Sequence, residues 1–393
     1  MNPLAVSHYT VTTACGRGRQ ALLDALRREA TGLRLCRFDA AAPECWLGEV
    51  EGLDDPLPAR HAAWDCRVNR LLALSLRQDG FEQAVAELRE RYGAARVGVF
   101  VGTSTSGIEA AERAYRERDR AGERLPPWFD YRRSQSIHVP AEFARLLLGL
   151  KGCCLSISTA CSSSAKVFAA AARAIRAGLC DAAVVGGVDS LCLTTLHGFN
   201  ALQLVSADIC RPADARRKGI SIGEAGGFAI LDPRCRGDGP VLLGYGESAD
   251  AHHMSTPDPE GRGAAAAMEQ ALATAGVRPA DVDYINLHGT ATRVNDLAED
   301  RAVTALFGYR VPCSSTKGWS GHTLGAAGMV EAAVAMLCIE HGLMPRSLNL
   351  QERDPQLRGA IVEQTRQEKV ARVLSNSFGF GGSNCSLLFG RAA

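Results

Sequence analysis

The sequence is short of long-range signals. No uncharged apolar run reaches the roughly eighteen residues that a bilayer span needs, so membrane insertion is not expected. The opening MNPLAVSHYTVTTACGRG has neither the basic start nor the apolar core of a secretory signal, and a cytoplasmic protein is expected. Net charge is only +1, so nothing global points to nucleic acid or an anionic membrane. Fourteen cysteines are scattered without a C-x-x-C or a His/Cys cluster. That argues against a disulfide framework, and most of the thiols read as small, reduced core residues. No low-complexity tract, Pro/Ser-rich linker or clear internal repeat divides the chain.

What is present is a globular balance over 393 residues, 46% apolar and 22% charged, enough for a large core. Short β-branched runs alternate with alanine-rich stretches, the pattern of an α/β protein. Strands are expected over Arg96 to Gly102, Cys154 to Ser158, Ala182 to Gly187, Val241 to Tyr245, Tyr284 to Leu287, and around Val373 to Ser375 and Ser386 to Phe389. Helices are expected over Ser163 to Ala177, Arg262 to Ala275 and Gly328 to His341. The polar, turn-rich DPRCRGDGP from Asp232 to Pro240 suggests two halves, 1–240 and 241–393. Gly-rich connections follow several strands, where ligands bind in open α/β sheets.

One such connection carries Cys161, between the strand at Cys154 and the helix from Ser163. Unpaired N–H groups at a helix start favour a thiolate, and a tight strand-to-helix turn presents the sulfur as a nucleophile elbow presents serine. On position alone, a buried structural cysteine is an equal reading.

Acyl transfer needs partners for the sulfur, and two of the nine histidines lie in small-residue contexts after predicted strands. These are His288 in NLHGTAT and His322 in SSTKGWSGHTLGAAG. Two imidazoles can donate to a thioester oxygen as an enolate forms. Lys317, five residues before His322, can hold charge beside the pair, and Glu299, eleven residues after His288, can balance that lysine. His8, His61, His252, His253 and His341 read as ordinary surface or loop residues. The late turn NSFGFGGSN looks like a phosphate loop, but no Gly-Lys-Ser/Thr and no helix follow. It fits an oxyanion hole better, Phe380 N–H pairing with Cys161 N–H, with a plain hairpin as the alternative.

Taken together, STACSSSA, NLHGTAT, SSTKGWSGHTLGAAG and NSFGFGGSN resemble, in this order, the signatures of β-ketoacyl-acyl carrier protein synthases of the type I and II class. The resemblance continues through VGTSTSG, AAVVGGVDS and CRPADARRKGISIGEAGG and is weakest over the first ninety residues. It implies an αβαβα thiolase-like fold of two similar halves, usually a homodimer, that needs no metal and no organic cofactor. It implies ping-pong decarboxylative condensation of malonyl-carrier with an acyl chain held on Cys161. His288 and His322 match the family's condensation pair, Lys317 and Glu299 its supporting charges, and Phe380 its gate. Thr105, Thr290, Thr292, Phe378 and Gly381 fall at substrate-binding positions. The acidic acyl carrier protein implies a positive docking surface. Candidates are Arg67 and Arg70, Arg132 and Arg133, and, preferred among them, Arg211, Arg216, Arg217 and Lys218.

Departures from the family pattern concern loops. Ala213, Lys218, Ile220 and Ala225 replace the usual residues of the 210–227 segment, Thr105 is polar, and HYTVTTACGRG lacks the usual apolar N-terminal strand. They point to a specialised branch such as polyene or polyketide assembly. A thiolase would want a second cysteine in the Gly-rich turn, whereas Cys385 lies just beyond it. A starter synthase would want asparagine in place of His322. A non-catalytic chain-length-factor-like subunit would lack the nucleophile, although a heterodimer with such a partner stays compatible with the sequence.

Overall fold

A computed structural model describes residues 1–119, 121–234, 237 and 239–391. Of the turn at 232–240, residues 235, 236 and 238 lie outside the described residues. The elements that position the site are, in chain order, β1 (Leu4–Thr13), β2 (Val97–Gly102), β3 (Cys154–Ile157), α1 (Ser163–Arg176), β4 (Ala182–Asp189), α2 (Leu193–Ala201), β5 (Ile222–Gly223), β6 (Ala225–Asp232), β7 (Pro240–Ala249), α3 (Arg262–Ala275), β8 (Tyr284–Asn286), α4 (Arg293–Phe307), β9 (Pro312–Ser314), α5 (Lys317–Ser320), α6 (Ala327–His341), β10 (Ala360–Ile361), β11 (Arg372–Gly379) and β12 (Ser383–Arg391).

Two halves repeat one topology. The first orders its strands β1-β6-β4-β2-β3 and the second β7-β12-β11-β8-β9, with β10 added at the outer edge. In each half the first pairing two are antiparallel and the last two parallel, and β1 pairs antiparallel with β7 to join the halves. The helix that follows the third strand of each half, α1 or α6, turns inward. The two pack on each other and on strands of both halves, forming a central helical layer between the sheet halves.

That position explains the composition of α6. A helix buried all round carries no amphipathic stripe, and Ala327 to Ile339 are buried without a break. The stretch Leu324–His341 would pass for a membrane span by length and composition, yet 89% of it lies in the core. Close approach of the two helices needs glycine at 328, where a Cβ would lie 2.5 Å from Ala165 N.

The N-terminal strand corrects the sequence reading. β1 is ten residues long and central, not eroded. Its buried apolar residues Leu4, Val6, Tyr9 and Val11 break a strict alternation because the register shifts between Val6 and Tyr9. An irregularity of that kind inserts a residue and hides the period-two signal.

Candidate active site

Cys161 stands at the turn from β3 into α1. The preceding Ala160 takes φ +53°, a left-handed conformation that costs a side chain on the order of 1 kcal/mol. The serine run after the cysteine holds this turn. Ser162 Oγ donates to Thr159 O at 2.9 Å, Ser163 Oγ donates to Ala160 O at 2.5 Å, and Thr159 N–H donates to Ser163 Oγ at 2.9 Å. Ser164 Oγ accepts from Met329 N–H at 2.9 Å, tying the nucleophile's helix to α6.

The second half supplies the partners. His322 Nε2 lies 3.1 Å from Cys161 Sγ, and the His288 and His322 rings meet edge to face at 5.3 Å between centroids. The backbone of His322 is gripped by β5: its N–H donates to Ser221 O at 2.7 Å, and its carbonyl accepts from Gly223 N–H at 3.0 Å. The GISIGEAGG segment therefore places this histidine. Leu324 N–H donates to His322 Nδ1 at 3.2 Å, and Lys317 Nζ lies 3.3 Å from His288 Nδ1. With both Nδ1 atoms accepting, the neutral rings carry their protons on Nε2, the nitrogens that face the cavity.

Lys317 also bonds His288 O and pairs with Glu331 of α6. This corrects the expectation for Glu299. Its carboxylate does not balance the lysine; it accepts the N–H groups of His288 and Gly289, each at 2.8 Å, and Asn376 Nδ2 at 3.2 Å. The reason is direction: Glu299 rises from α4 under the 288–289 loop, while Glu331 faces the ammonium from the central helix. Sequence reasoning missed Glu331, although a lone acid inside an apolar helical run is a signal, since an acid is rarely buried without a partner.

Burial dominates the electrostatics. It pushes the Cys161 thiol up to about 11, against the pull of Lys317 and of the Phe380 N–H. It holds both histidines well below the usual imidazole value, with Lys317 adding to the effect. It raises Glu299 to about 7 despite its backbone donors. Cys161, His288 and His322 are the one group among the described residues whose donor atoms could converge on a metal ion. Their partners oppose it, because a metal on Nε2 needs the proton on Nδ1, where N–H donors already point.

The site opens to a cavity of about 380 Å³ lined by Cys161, both histidines, Phe378, Phe380 and Phe199 of α2. The Phe380 and Phe199 rings lie 5.4 Å apart across its wall. Gly379 brings the late turn against the nucleophile, since a Cβ there would lie 2.8 Å from Thr159 O and 3.2 Å from Cys161 N. Thr290 and Thr292 line the cavity as expected positions. Two others do not. Thr105 is buried and donates to Asp189 at 2.8 Å, and Gly381 turns away, its N–H on Met254 O at 2.7 Å.

The basic candidates separate by their partners. Arg217 is unexposed between Asp354 at 2.6 Å and Asp296 at 3.1 Å, so it cannot receive a carrier. Arg67 is bonded twice to the buried Glu224, and Arg70 twice to Asp65, so both are held against the chain's own carboxylates. Arg132, Arg133 and Arg216 are exposed and Arg211 is half-buried. Lys218 is exposed, 2.9 Å from Asp208, and lies at the cavity mouth.

Comparison with known proteins gives a consistent result. The family model described as Beta-ketoacyl synthase, N-terminal domain, matches residues 47–235, and that described as Beta-ketoacyl synthase, C-terminal domain, matches residues 240–351. The chain is 38% identical over 320 residues to 3-oxoacyl-[acyl-carrier-protein] synthase 2 of Rhizobium meliloti (strain 1021), covering 75% of this chain and 74% of that protein. It is 33% identical over 409 residues to the protein of the same name from Coxiella burnetii, covering 99% and 98%. Among solved structures it superposes on the ketosynthase ApeO, in complex with its chain length factor ApeC, from Xenorhabdus doucetiae. That match has a TM-score of 0.91 and 35% identity and covers 100% of this chain and 98% of the other.

Proposed function

The chain belongs to the β-ketoacyl synthase family, with its thiolase-like fold and acyltransferase chemistry, and from that premise we propose how its residues divide the reaction. Cys161 Sγ attacks the thioester of an acyl-loaded carrier protein. The new sulfur–carbon bond replaces the one to the carrier, and the thiol proton leaves on the carrier's sulfur. The N–H groups of Phe380 and Cys161 receive the oxyanion, with Phe380 and Phe199 gating entry and Thr290, Thr292 and Phe378 contacting the arm that carries the substrate. Malonyl-carrier then binds, and the Nε2–H groups of His288 and His322 donate to its thioester oxygen. Carbon dioxide leaves and the enolate carbon bonds to the acyl carbonyl carbon. The bond from that carbon to Cys161 Sγ breaks, the sulfur leaves as a thiolate that takes up a proton from solvent, and the product departs on the carrier two carbons longer.

The observation that carries this reading is that both Nδ1 atoms accept an N–H, so both histidines present a donor rather than a base to the cavity. No metal or organic cofactor takes part in these steps. Lys218, Arg211 and Arg216 form the carrier-docking face, supported by the place of Lys218 at the mouth. The chain works in the cytoplasm as a dimer through β3, which ends the sheet with Leu155 exposed. Its partner is a second copy or, as ApeO has ApeC, a chain-length-factor-like relative. The departures at Ala213, Lys218, Ile220 and Ala225 are what support a specialised polyene or polyketide pathway. The shared strand order supports 1–240 and 241–393 as two thiolase-like halves.

The test combines malonyl-carrier with a panel of acyl-carriers. Wild-type protein is expected to release carbon dioxide and yield a product two carbons longer, and His322→Ala to do neither. A wild-type chain that never decarboxylates malonyl-carrier would leave the chain-length-factor-like role as the reading that fits.

A further inference from the structure

We propose that Asp189 is a positioning residue that sets which nitrogen of His322 carries the proton; this rests on the role of His322 given above. Asp189 ends β4 and is fully buried. Six donors converge on its two oxygens. Five come from the loop after β2: Thr103 Oγ1 at 2.5 Å, Ser104 N–H at 2.9 Å, Ser104 Oγ at 2.5 Å, Thr105 N–H at 3.0 Å and Thr105 Oγ1 at 2.8 Å. The sixth crosses between the halves, from Gly325 N–H at 2.6 Å.

That crossing bond acts on the histidine through one residue. Gly325 is seated tightly, since a Cβ would lie 2.5 Å from Ser104 N and 2.6 Å from Asp189 Oδ2. Leu324, next to it, is held at φ +54°, which disfavours a branched side chain. In this conformation its N–H donates to His322 Nδ1. Fixing the lone pair on Nδ1 leaves the proton on Nε2, beside Cys161 Sγ. The strained residue keeps its conformation because the carboxylate holds its neighbour. An amide in place of the carboxylate would turn one acceptor into a donor facing donors.

Asp189→Asn is the test, read with selectively ¹⁵N-labelled histidine and with His322→Ala to assign the signal. In substrate-free wild-type protein His322 is expected in the Nε2–H form, and in the variant as a mixture with the Nδ1–H form. Turnover is expected to fall by about 10²-fold, the scale of a misplaced reacting group, with KM for both carriers within about twofold. Ser104→Ala removes one donor to Asp189 and one acceptor for Gly325 N–H, and is expected to move the tautomer the same way by less. If Asp189→Asn does not fold, Ser104→Ala decides the matter. A folded variant whose His322 tautomer matches wild type overturns the proposal, whatever its activity. Because the tautomer is read without substrate, a wild-type chain that fails to condense would instead count against the reaction proposed above.

Discussion

At Cys161 two effects oppose each other. The start of α1 favours a thiolate by roughly 0.3–1 kcal/mol, while burial that lifts the thiol from 9 to about 11 disfavours it by about 3 kcal/mol. Burial outweighs the helix start, so a neutral thiol is the expected resting form. Alkylation of Cys161 by iodoacetamide is expected to rise steadily from pH 7 to 10 without a plateau; a plateau below pH 8 would show that the helix start prevails. The same sign applies to Cys66, Cys192 and Cys210, each pushed up to about 12. Above pH 9 the unfolded thiols ionise and the buried ones do not, so stability falls by about 1.4 kcal/mol per pH unit for each. The urea midpoint is expected to drop between pH 8 and 10, and an unchanged midpoint would contradict this. The Lys317–Glu331 pair is buried on both sides. Removing one member strands the other charge, so Glu331→Ala is expected to cost about 3–5 kcal/mol in urea unfolding, whereas a loss below about 1 kcal/mol would mean the lysine finds another partner. Cys161, His288, His322 and Lys317 were legible because each stands in a Gly- and Ser-rich stretch after a strand. Asp189 and Phe199 were not, because each acts through a partner far along the chain, and Glu331, close to Lys317 in sequence, was signalled solely by being an acid inside an apolar run.

Among the elements, α1 and α6 set the precision of the site, since one leads from the nucleophile and the other carries the lysine's partner. Their contact admits no Cβ at 328. Gly328→Ala is expected to cost about 1–3 kcal/mol by urea unfolding and to slow acylation of Cys161, because relieving the clash moves the start of α1. Unchanged stability would show that the helices slide freely. Both helices could be read in the sequence, α1 from its alanine-rich run and α6 from its apolar length. β1 could not, because the register shift after Val6 moves the buried residues onto the other parity. Arg217 misled for a related reason: a charge pattern does not tell a docking arginine from one whose carboxylate partners, here Asp296 and Asp354, lie far away in sequence.

For the whole molecule, the two halves share a topology that no sequence repeat announced, since strand order survives when the side chains that fill each half differ. The first half ends on β3, an edge strand with Leu155 half exposed, which is a template for pairing with another chain. Leu155→Asp is expected to turn a dimer into a monomer by light scattering, and a variant that stays dimeric would move the interface elsewhere. The central claim is that Cys161 carries the acyl chain, and intact-protein mass after incubation with an acyl-carrier tests it most directly. Wild-type protein is predicted to gain the mass of one acyl group, mapped to Cys161, and Cys161→Ala to gain none. A wild-type chain that gains nothing, or a variant that still becomes acylated, would contradict it.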